Sequence, residues 1–283
     1  MNLRRGEPCI AWQFGLAMRG SATDTGNGWG EWIDAGRNPR GRKGAELENN
    51  RPVTGLVVDT TSAAEDIVYV GWAQVYQDRK TAVVSASMDG GKTFTEPVNV
   101  AGNYLQDEGV RLALGKAVGR PTAPPLNAID ITWPVLALDG KGTLYAVWHV
   151  RGRPGPPVDD SATLLSRSTD RGKTFTVAEI GPTTNTFINA VILWSPSGGP
   201  QGTLHLTYHS TTARKVDFEY DVFYRRSTDG GSTWSDEKTL NDDDPSQLFV
   251  QVHPNMTIAP DGRIDVAWWD FRNDMATSPT TST

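Results

Sequence analysis

Apolar and polar positions alternate along this chain in short runs separated by turns. Runs rich in Val, Ile, Leu and aromatic residues fall at 53–59, 67–75 and 81–87, at 133–138, 143–150 and 162–168, at 187–194, 202–209 and 219–227, and at 253–259 and 263–269. Side chains that alternate with a period of two line the two faces of a strand, so these runs predict half-buried β-strands. Asp139-Gly140-Lys141-Gly142 and Pro260-Asp261-Gly262 stand between adjacent runs and read as hairpin turns, because Gly takes positive φ and Asp bonds the backbone ahead of it. Helical periodicity is almost absent. A short helix could fit near 110–118, inside the long connection from 101 to 131. The predicted class is all-β.

The strand order repeats. Trp72, Trp148, Tyr208 and Trp268 hold equivalent places in the second strand of successive units. After the third strand of each complete unit comes the pattern Ser-x-Asp-x-Gly-x-Thr-aromatic. It reads Ser87, Asp89, Gly91, Thr93, Phe94 in the first copy, Ser168, Asp170, Gly172, Thr174, Phe175 in the second, and Ser227, Asp229, Gly231, Thr233, Trp234 in the third. A weaker copy keeps Asp24, Gly26 and Trp29. Each copy predicts a hairpin turn whose Asp ties backbone N–H groups and whose Thr and aromatic open a fourth strand, at 93–100, 174–180 and 234–240. These Asp residues read as structural ties, since one chain has no need of the same catalytic residue three times over.

Four antiparallel strands per unit, repeated, predict the blades of a β-propeller; a sandwich is the alternative. Three blades are complete. A strand at 10–18 and another at 31–35 make half a blade at one end, and 253–269 makes half a blade at the other. The expectation is an incomplete propeller, an open arc with an exposed blade edge, forming a single domain over 1–275 with 276–283 as a disordered tail. Pairing of the two halves into a closed four-bladed ring is the alternative.

Composition narrows the partners. The formal net charge is −6 and Lys and Arg are scattered, which argues against a nucleic-acid partner. No run of apolar residues is long enough for a membrane span, and the first residues contain no apolar segment of signal-peptide type. Cys9 is the one cysteine, so no disulfide framework is expected.

With its three Ser-x-Asp-x-Gly-x-Thr-aromatic boxes, and with Asp242-Asp243-Asp244-Pro245, His253-Pro254, Asp261-Gly262-Arg263 and Trp268-Trp269-Asp270-Phe271-Arg272-Asn273-Asp274, the chain resembles the Asp-box propellers of the sialidase-like superfamily over nearly all of 10–274. The resemblance implies an extracellular or periplasmic protein. It implies a sialidase-like exo-glycosidase acting on sialylated or related glycans; the alternative within the same superfamily is a non-catalytic propeller that binds glycan or protein. A sialidase would bring three arginines onto the substrate carboxylate, a Tyr nucleophile paired with a Glu, and an Asp acid/base. The aromatic-Arg-Ile-Pro motif that usually carries the first arginine is absent; Asn50-Arg51-Pro52-Val53 and Gly119-Arg120-Pro121 echo it in part.

In such blades the box turns lie at one end of the strands and the second-to-third-strand loops at the other, where a ligand would bind. The residues there are Asp78, Arg79, His149, Arg151, Arg153, Asp159, Asp160, His209, Arg214, Asp217, Glu219, Asp270 and Arg272, with Arg51, Arg111 and Arg120 on the connections between blades. The catalytic candidates are Arg51, Arg120, Glu219, Tyr220, Asp270 and Arg272. Each also has a plain structural reading. Glu219 and Tyr220 are neighbours on a strand and face opposite ways. Asp270 and Arg272 share a side and read as a salt bridge. His149 and His209 read as packed, hydrogen-bonded histidines. No cofactor is implied, although Asp159-Asp160 and Asp242-Asp243-Asp244 carry the oxygen ligands a structural calcium takes. The sequence leaves the oligomeric state open.

Overall fold

The computed structural model describes residues 9–12, 16–20, 29–34, 55–76, 79–111, 129–152, 161–180, 188–211, 220–243 and 249–272. The chain divides into two units, residues 1–182 and 183–283.

The first unit holds three antiparallel sheets. Strands β1 (Cys9–Trp12), β2 (Leu16–Gly20) and β3 (Trp29–Asp34) form the first. The run at 10–18, expected as one strand, is a hairpin: Ile10 pairs with Met18 and Trp12 with Leu16. Apolar alternation is the same for one strand or for two that fold back on each other, so the pattern does not separate them. The second sheet runs in chain order through β4 (Gly55–Asp59), β5 (Ile67–Tyr76), β6 (Arg79–Ser87) and β7 (Val98–Asn99). The third contains β8 (Ile129–Ile131), β9 (Val135–Leu138), β10 (Leu144–Gly152), β11 (Ser161–Ser168) and β12 (Thr176–Glu179). Here β9 and β8 share one edge of β10, β9 along residues 144–147 and β8 along 150–152. Pro134 lies in the break between them; without an N–H it cannot continue a ladder, so the first strand of this sheet is made in two pieces. Between the second and third sheets, a 3-10 helix at Tyr104–Gln106 and a helical turn at 108–111 occupy the long connection, starting before the stretch where a helix was expected.

The core of this unit lies between the second and third sheets. Ile67, Tyr69, Ala82, Val84, Leu144, Trp148 and Leu164 are buried there, with Phe175 of the second box packed against them. The sheets meet closely at two glycines. A Cβ on Gly55 would stand 2.4 Å from Leu136 Cγ, and one on Gly71 3.1 Å from Pro134 Cγ. Ser166 stitches the layers: its Oγ donates to the Val100 carbonyl at 2.6 Å and accepts the Trp148 indole N–H at 2.8 Å. The far face of the second sheet buries Trp72 with Val68, Val70 and Val83, and Phe94 of the first box covers them.

The second unit has a four-stranded sheet in chain order, β13 (Ile188–Ser195), β14 (Thr203–Thr211), β15 (Tyr220–Ser227) and β16 (Lys238–Thr239), and a two-stranded sheet, β17 (Gln251–Ile258) with β18 (Ile264–Asp270). Strand β17 packs across β13, β14 and β15. Fourth strands are shorter than their apolar pattern suggests: β7 and β16 pair over two residues each. Among the described residues no helix is long and apolar enough to cross a membrane.

Candidate functional site

The two ends of the strands differ in chemistry. At one end the three box turns share a single hydrogen-bond scheme. In the third, Ser227 Oγ donates to Asp229 Oδ1 at 2.8 Å and accepts the Gly231 N–H at 2.9 Å, while Thr233 donates its N–H to Oδ1 at 2.9 Å and its hydroxyl to Oδ2 at 2.6 Å. The first and second copies repeat these bonds through Ser87, Asp89, Gly91 and Thr93 and through Ser168, Asp170, Gly172 and Thr174. Both carboxylate oxygens are therefore spent on the turn. Burial pushes the Asp89 carboxyl up, but the hydrogen bonds from Thr93, Ser87 and Lys92 outweigh it and hold the group at about 2. In Asp170 the Thr174 hydroxyl bond leads and the result is again about 2. Carboxyls held this low cannot donate a proton near neutral pH.

The opposite end of the second unit gathers four rings and a set of charges. Strand pairing puts Ser227 against Leu204 at the box end and Tyr220 against Thr211 at the other. There, the Tyr220 ring meets His209 edge-on at a centroid distance of 5.4 Å, His209 lies 5.6 Å from His253, and His253 lies 4.8 Å from Trp269. The backbone N–H of His253 donates to His209 Nδ1 at 3.2 Å, so that nitrogen carries no proton and the His209 ring is neutral. His209 is 3% exposed, whereas Trp269 is 62% exposed.

His253 owes its position to a local irregularity. The β17–β18 register shifts between Val252 and Asn255, and His253 sits in the shift at φ 56. Pro254 follows it and offers no ladder N–H. A left-handed conformation costs a non-glycine residue roughly 1–2 kcal/mol, and backbone strain of this kind concentrates where a side chain has to be aimed for a purpose.

Charged groups lie at the same strand ends. Arg272 donates from Nη2 to Asp270 at 2.7 Å and from Nη1 to Asp242 at 2.7 Å, and its backbone N–H reaches Asp270 at 3.0 Å. Burial raises the Asp270 carboxyl, but the backbone and side-chain hydrogen bonds of Arg272 more than reverse this and hold it below the ordinary carboxylate range. Asn241 donates to Asp221 at 2.7 Å and also to Asp243, and accepts the Val222 N–H at 2.9 Å. Gln251 is the register partner of Asp270, so the two share a face of the sheet. Its amide is fully buried and stands beside the Asp270 carboxylate, whose charge it favours.

The structure thus brings Tyr220, His209, Asp270 and Arg272 to one end of the second unit. Arg51, Asp78, Arg120, Arg153, Asp159, Asp160, Arg214, Asp217, Glu219 and Asp244 lie outside the described residues. Arg79 opens β6 and Arg151 lies near the end of β10. Arg111 donates to the carbonyls of Leu105 and Gln106 at 2.9 and 2.7 Å, closing the turn that precedes it. In the first unit His149 is buried, with Nδ1 3.0 Å from Thr163 Oγ1 and its backbone N–H on Thr132 Oγ1. Among the described residues no group of three or more His, Cys, Asp or Glu is placed to hold a metal ion, and Asp242 and Asp243 are instead engaged by Arg272 and Asn241.

Two Tyr–Glu pairs occur that the sequence does not suggest. Tyr208 donates to Glu237, which Arg225 approaches at 3.7 Å, and Tyr104 donates to Glu179 at 3.0 Å. Burial first, then the neighbouring carboxylate, pushes both phenols above their usual range, so both stay protonated. A further chain joins Ser197, Ser195, His205 and Tyr224, with Ser195 Oγ 2.9 Å from His205 Nε2 and His205 Nδ1 2.7 Å from the Tyr224 hydroxyl. Ser195 is 2% exposed, which closes it to a substrate. Sequence reasoning does not single out Gln251, His253 or Trp269 as site residues. The His-Pro dipeptide inside a predicted strand is the available signal, since a proline there marks an edge or a bulge.

Solved structures resemble the chain in fold. An α-L-arabinanase of Penicillium chrysogenum, complexed with arabinobiose, aligns with a TM-score of 0.54 and 14% identity over 96% of this chain and 76% of its own. The NanB sialidase of Streptococcus pneumoniae, in complex with 2-[(3-chlorobenzyl)ammonio]ethanesulfonate, aligns with a TM-score of 0.51 and 13% identity over 89% of this chain and 32% of its own. No protein-family model and no curated protein sequence matches. At these identities the likeness speaks for fold alone. Together with the four-stranded, up-and-down antiparallel sheets, it identifies the architecture as that of β-propeller blades.

Proposed function

We propose that this protein recognises glycans through the end of its blades opposite the Ser–Asp turns. The observation that carries the reading is the row of rings from Tyr220 to Trp269, at strand ends that also carry Asp270, Arg272 and Asp242. Sugars present C–H faces that pack on aromatic rings and hydroxyls that bond to carboxylates and amides, and this end supplies both. The fold is shared with proteins described as an arabinanase and a sialidase, which supports a carbohydrate ligand.

Two readings of that recognition differ in chemistry. One is a sialidase-like Asp-box hydrolase, secreted, acting on sialylated or related glycans. It needs guanidinium groups available to a substrate carboxylate, and Arg272 already serves two aspartates. Its sequence candidates for such a clamp, Arg51 and Arg120, and the candidate Glu219 lie outside the described residues. The other is a propeller that binds glycan without turning it over, and the engagement of Arg272 favours it. Release of 4-methylumbelliferone from its α-sialoside decides between them. Absence of turnover by folded protein that still retains glycans on an array supports binding alone; steady release that is lost in Arg120→Ala supports the hydrolase.

A further inference from the structure

The bulge at His253 is held by a hydrogen bond that a proton would forbid. His253 lies in the β17–β18 register shift at φ 56, a region that residues other than Gly enter rarely. Pro254 follows it and has no N–H with which to rejoin the ladder. The His253 N–H is donated instead to His209 Nδ1 at 3.2 Å. His209 is buried. His253 is exposed, and its ring rests against Trp269 at a centroid distance of 4.8 Å.

A neutral imidazole has one nitrogen that accepts; an imidazolium donates from both and accepts nothing. A proton on His209 would therefore turn Nδ1 against the His253 N–H and place a charge in a buried position. The neighbouring groups do not offset this. The register partners of His209 are Ile188 of β13 and Val222 of β15, both uncharged. Among the described residues, the titratable rings that meet it are Tyr220 of β15 and His253 of β17. A phenol and an imidazole hold no negative charge in acid, and a cationic His253 ring 5.6 Å away would repel a second cation. Of the carboxylates at these strand ends, Asp221 pairs in register with Ser210 and so faces the other side of the sheet, Asp270 and Asp242 are bound by Arg272, and Asp243 is bound by Asn241.

We propose that His209 and His253 form an acid-released latch: neutral His209 holds the bulge and sets His253 against Trp269, and protonated His209 lets the bulge relax. The released form binds the proton more tightly, so the latch is closed at neutral and alkaline pH. It opens as pH falls below the ordinary histidine value of about 6.5. The rings are those of the surface assigned above to glycan recognition, and the latch would set the pH range over which that surface is assembled. Its test needs no glycan, so either reading can fail alone.

The chain has four histidines, so the spectrum of protein labelled with nitrogen-15 histidine can show each ring, and His209→Asn identifies the signals of His209. The titration runs from about pH 8 to about pH 4.5, on either side of the histidine range. His209 Nδ1 is expected to carry no proton at the alkaline end. As it gains one, the His253 amide signal should move with it. Protection of that amide from hydrogen exchange, corrected for the intrinsic rate, should fall about tenfold, the scale of one hydrogen bond. The Leu206 amide, midway along β14, should keep its protection. In His209→Asn the side-chain oxygen accepts at every pH, so the His253 amide should stay protected throughout. His253→Gly takes a positive φ at no steric cost and should shift the release to lower pH by up to about one unit; with the parent titration it decides the matter if His209→Asn does not fold. The proposal is overturned if His209 gains its proton while the His253 amide is unchanged, or if both stay unchanged to the acid end. It is overturned equally if His209→Asn follows the parent pH course, or if Leu206 loses protection together with His253, which is general unfolding.

Discussion

At the scale of single residues, the three box turns are one solution written three times, and their differences are informative. The residue before the box glycine is Gly90 at φ 71, Arg171 at φ 64 and Gly230 at φ 69. The middle copy thus places an arginine side chain in the left-handed region where the other two have none. Arg171→Gly should therefore stabilise the protein, by up to about 1 kcal/mol after the added freedom of the unfolded chain is subtracted. A lower urea midpoint for the variant would refute this. Asp170 gives a prediction with a pH sign. Its folded value of about 2 lies below the unfolded carboxylate value of about 3.9, so its contribution is complete above roughly pH 4 and is lost as pH falls towards 2. Asp170→Ala should cost about 1–2 kcal/mol at pH 7, at the low end for charge-assisted bonds because the turn is solvated. The same comparison near pH 2 should show little difference; a penalty that persists there would mean that the carboxylate charge is not what holds the turn.

At the scale of elements, what the sequence discloses and what it hides divide along locality. Box turns are legible because Ser, Asp, Gly and Thr act on their own neighbours within eight residues. The strand runs are legible for the same reason, since alternation is a property of one strand facing one core. The β1–β2 hairpin is not, and neither is the splitting of β8 from β9 at Pro134, because both depend on which backbone groups find partners rather than on apolar pattern. His253 is hidden more deeply. Its ring reaches His209 and Trp269 only because the β17–β18 register slips there, and a register slip is decided by pairing between strands. Gly55 shows the same dependence: in sequence it is an ordinary strand-breaking residue, and in the fold it is the place where Leu136 of the next sheet comes to rest. Gly55→Ala should force Leu136 aside and destabilise the first unit by about 1–3 kcal/mol. Chemical denaturation measures this, and a second change, Leu136→Ala, should make the Gly55 substitution nearly harmless. If the penalty is the same with and without Leu136, the contact is not what selects glycine.

At the scale of the whole molecule, two features act together on behaviour in solution. The net charge of −6 keeps copies apart at neutral pH, and it vanishes near the sequence pI of about 5.3. Among the described residues strand β18 pairs with β17 alone, so no described strand covers its other edge, and Trp269 adds a large exposed apolar surface on this strand. Edges of this kind recruit other strands unless a charge stands in the way. Ala267 lies midway along β18, exposed and opposite Asn255, so a long charged side chain placed there reaches solvent. Association should therefore be slow at pH 7 and should accelerate as pH approaches 5.3, because repulsion fades while the edge is unchanged. Ala267→Lys should slow it at both values: it places a charge that must be desolvated before another strand can dock. Light scattering against time at the two pH values reads this directly. If Ala267→Lys aggregates at the parent rate near pH 5.3, association runs through another surface, and Trp269→Ala measured alongside tells whether the exposed ring or the strand edge is responsible.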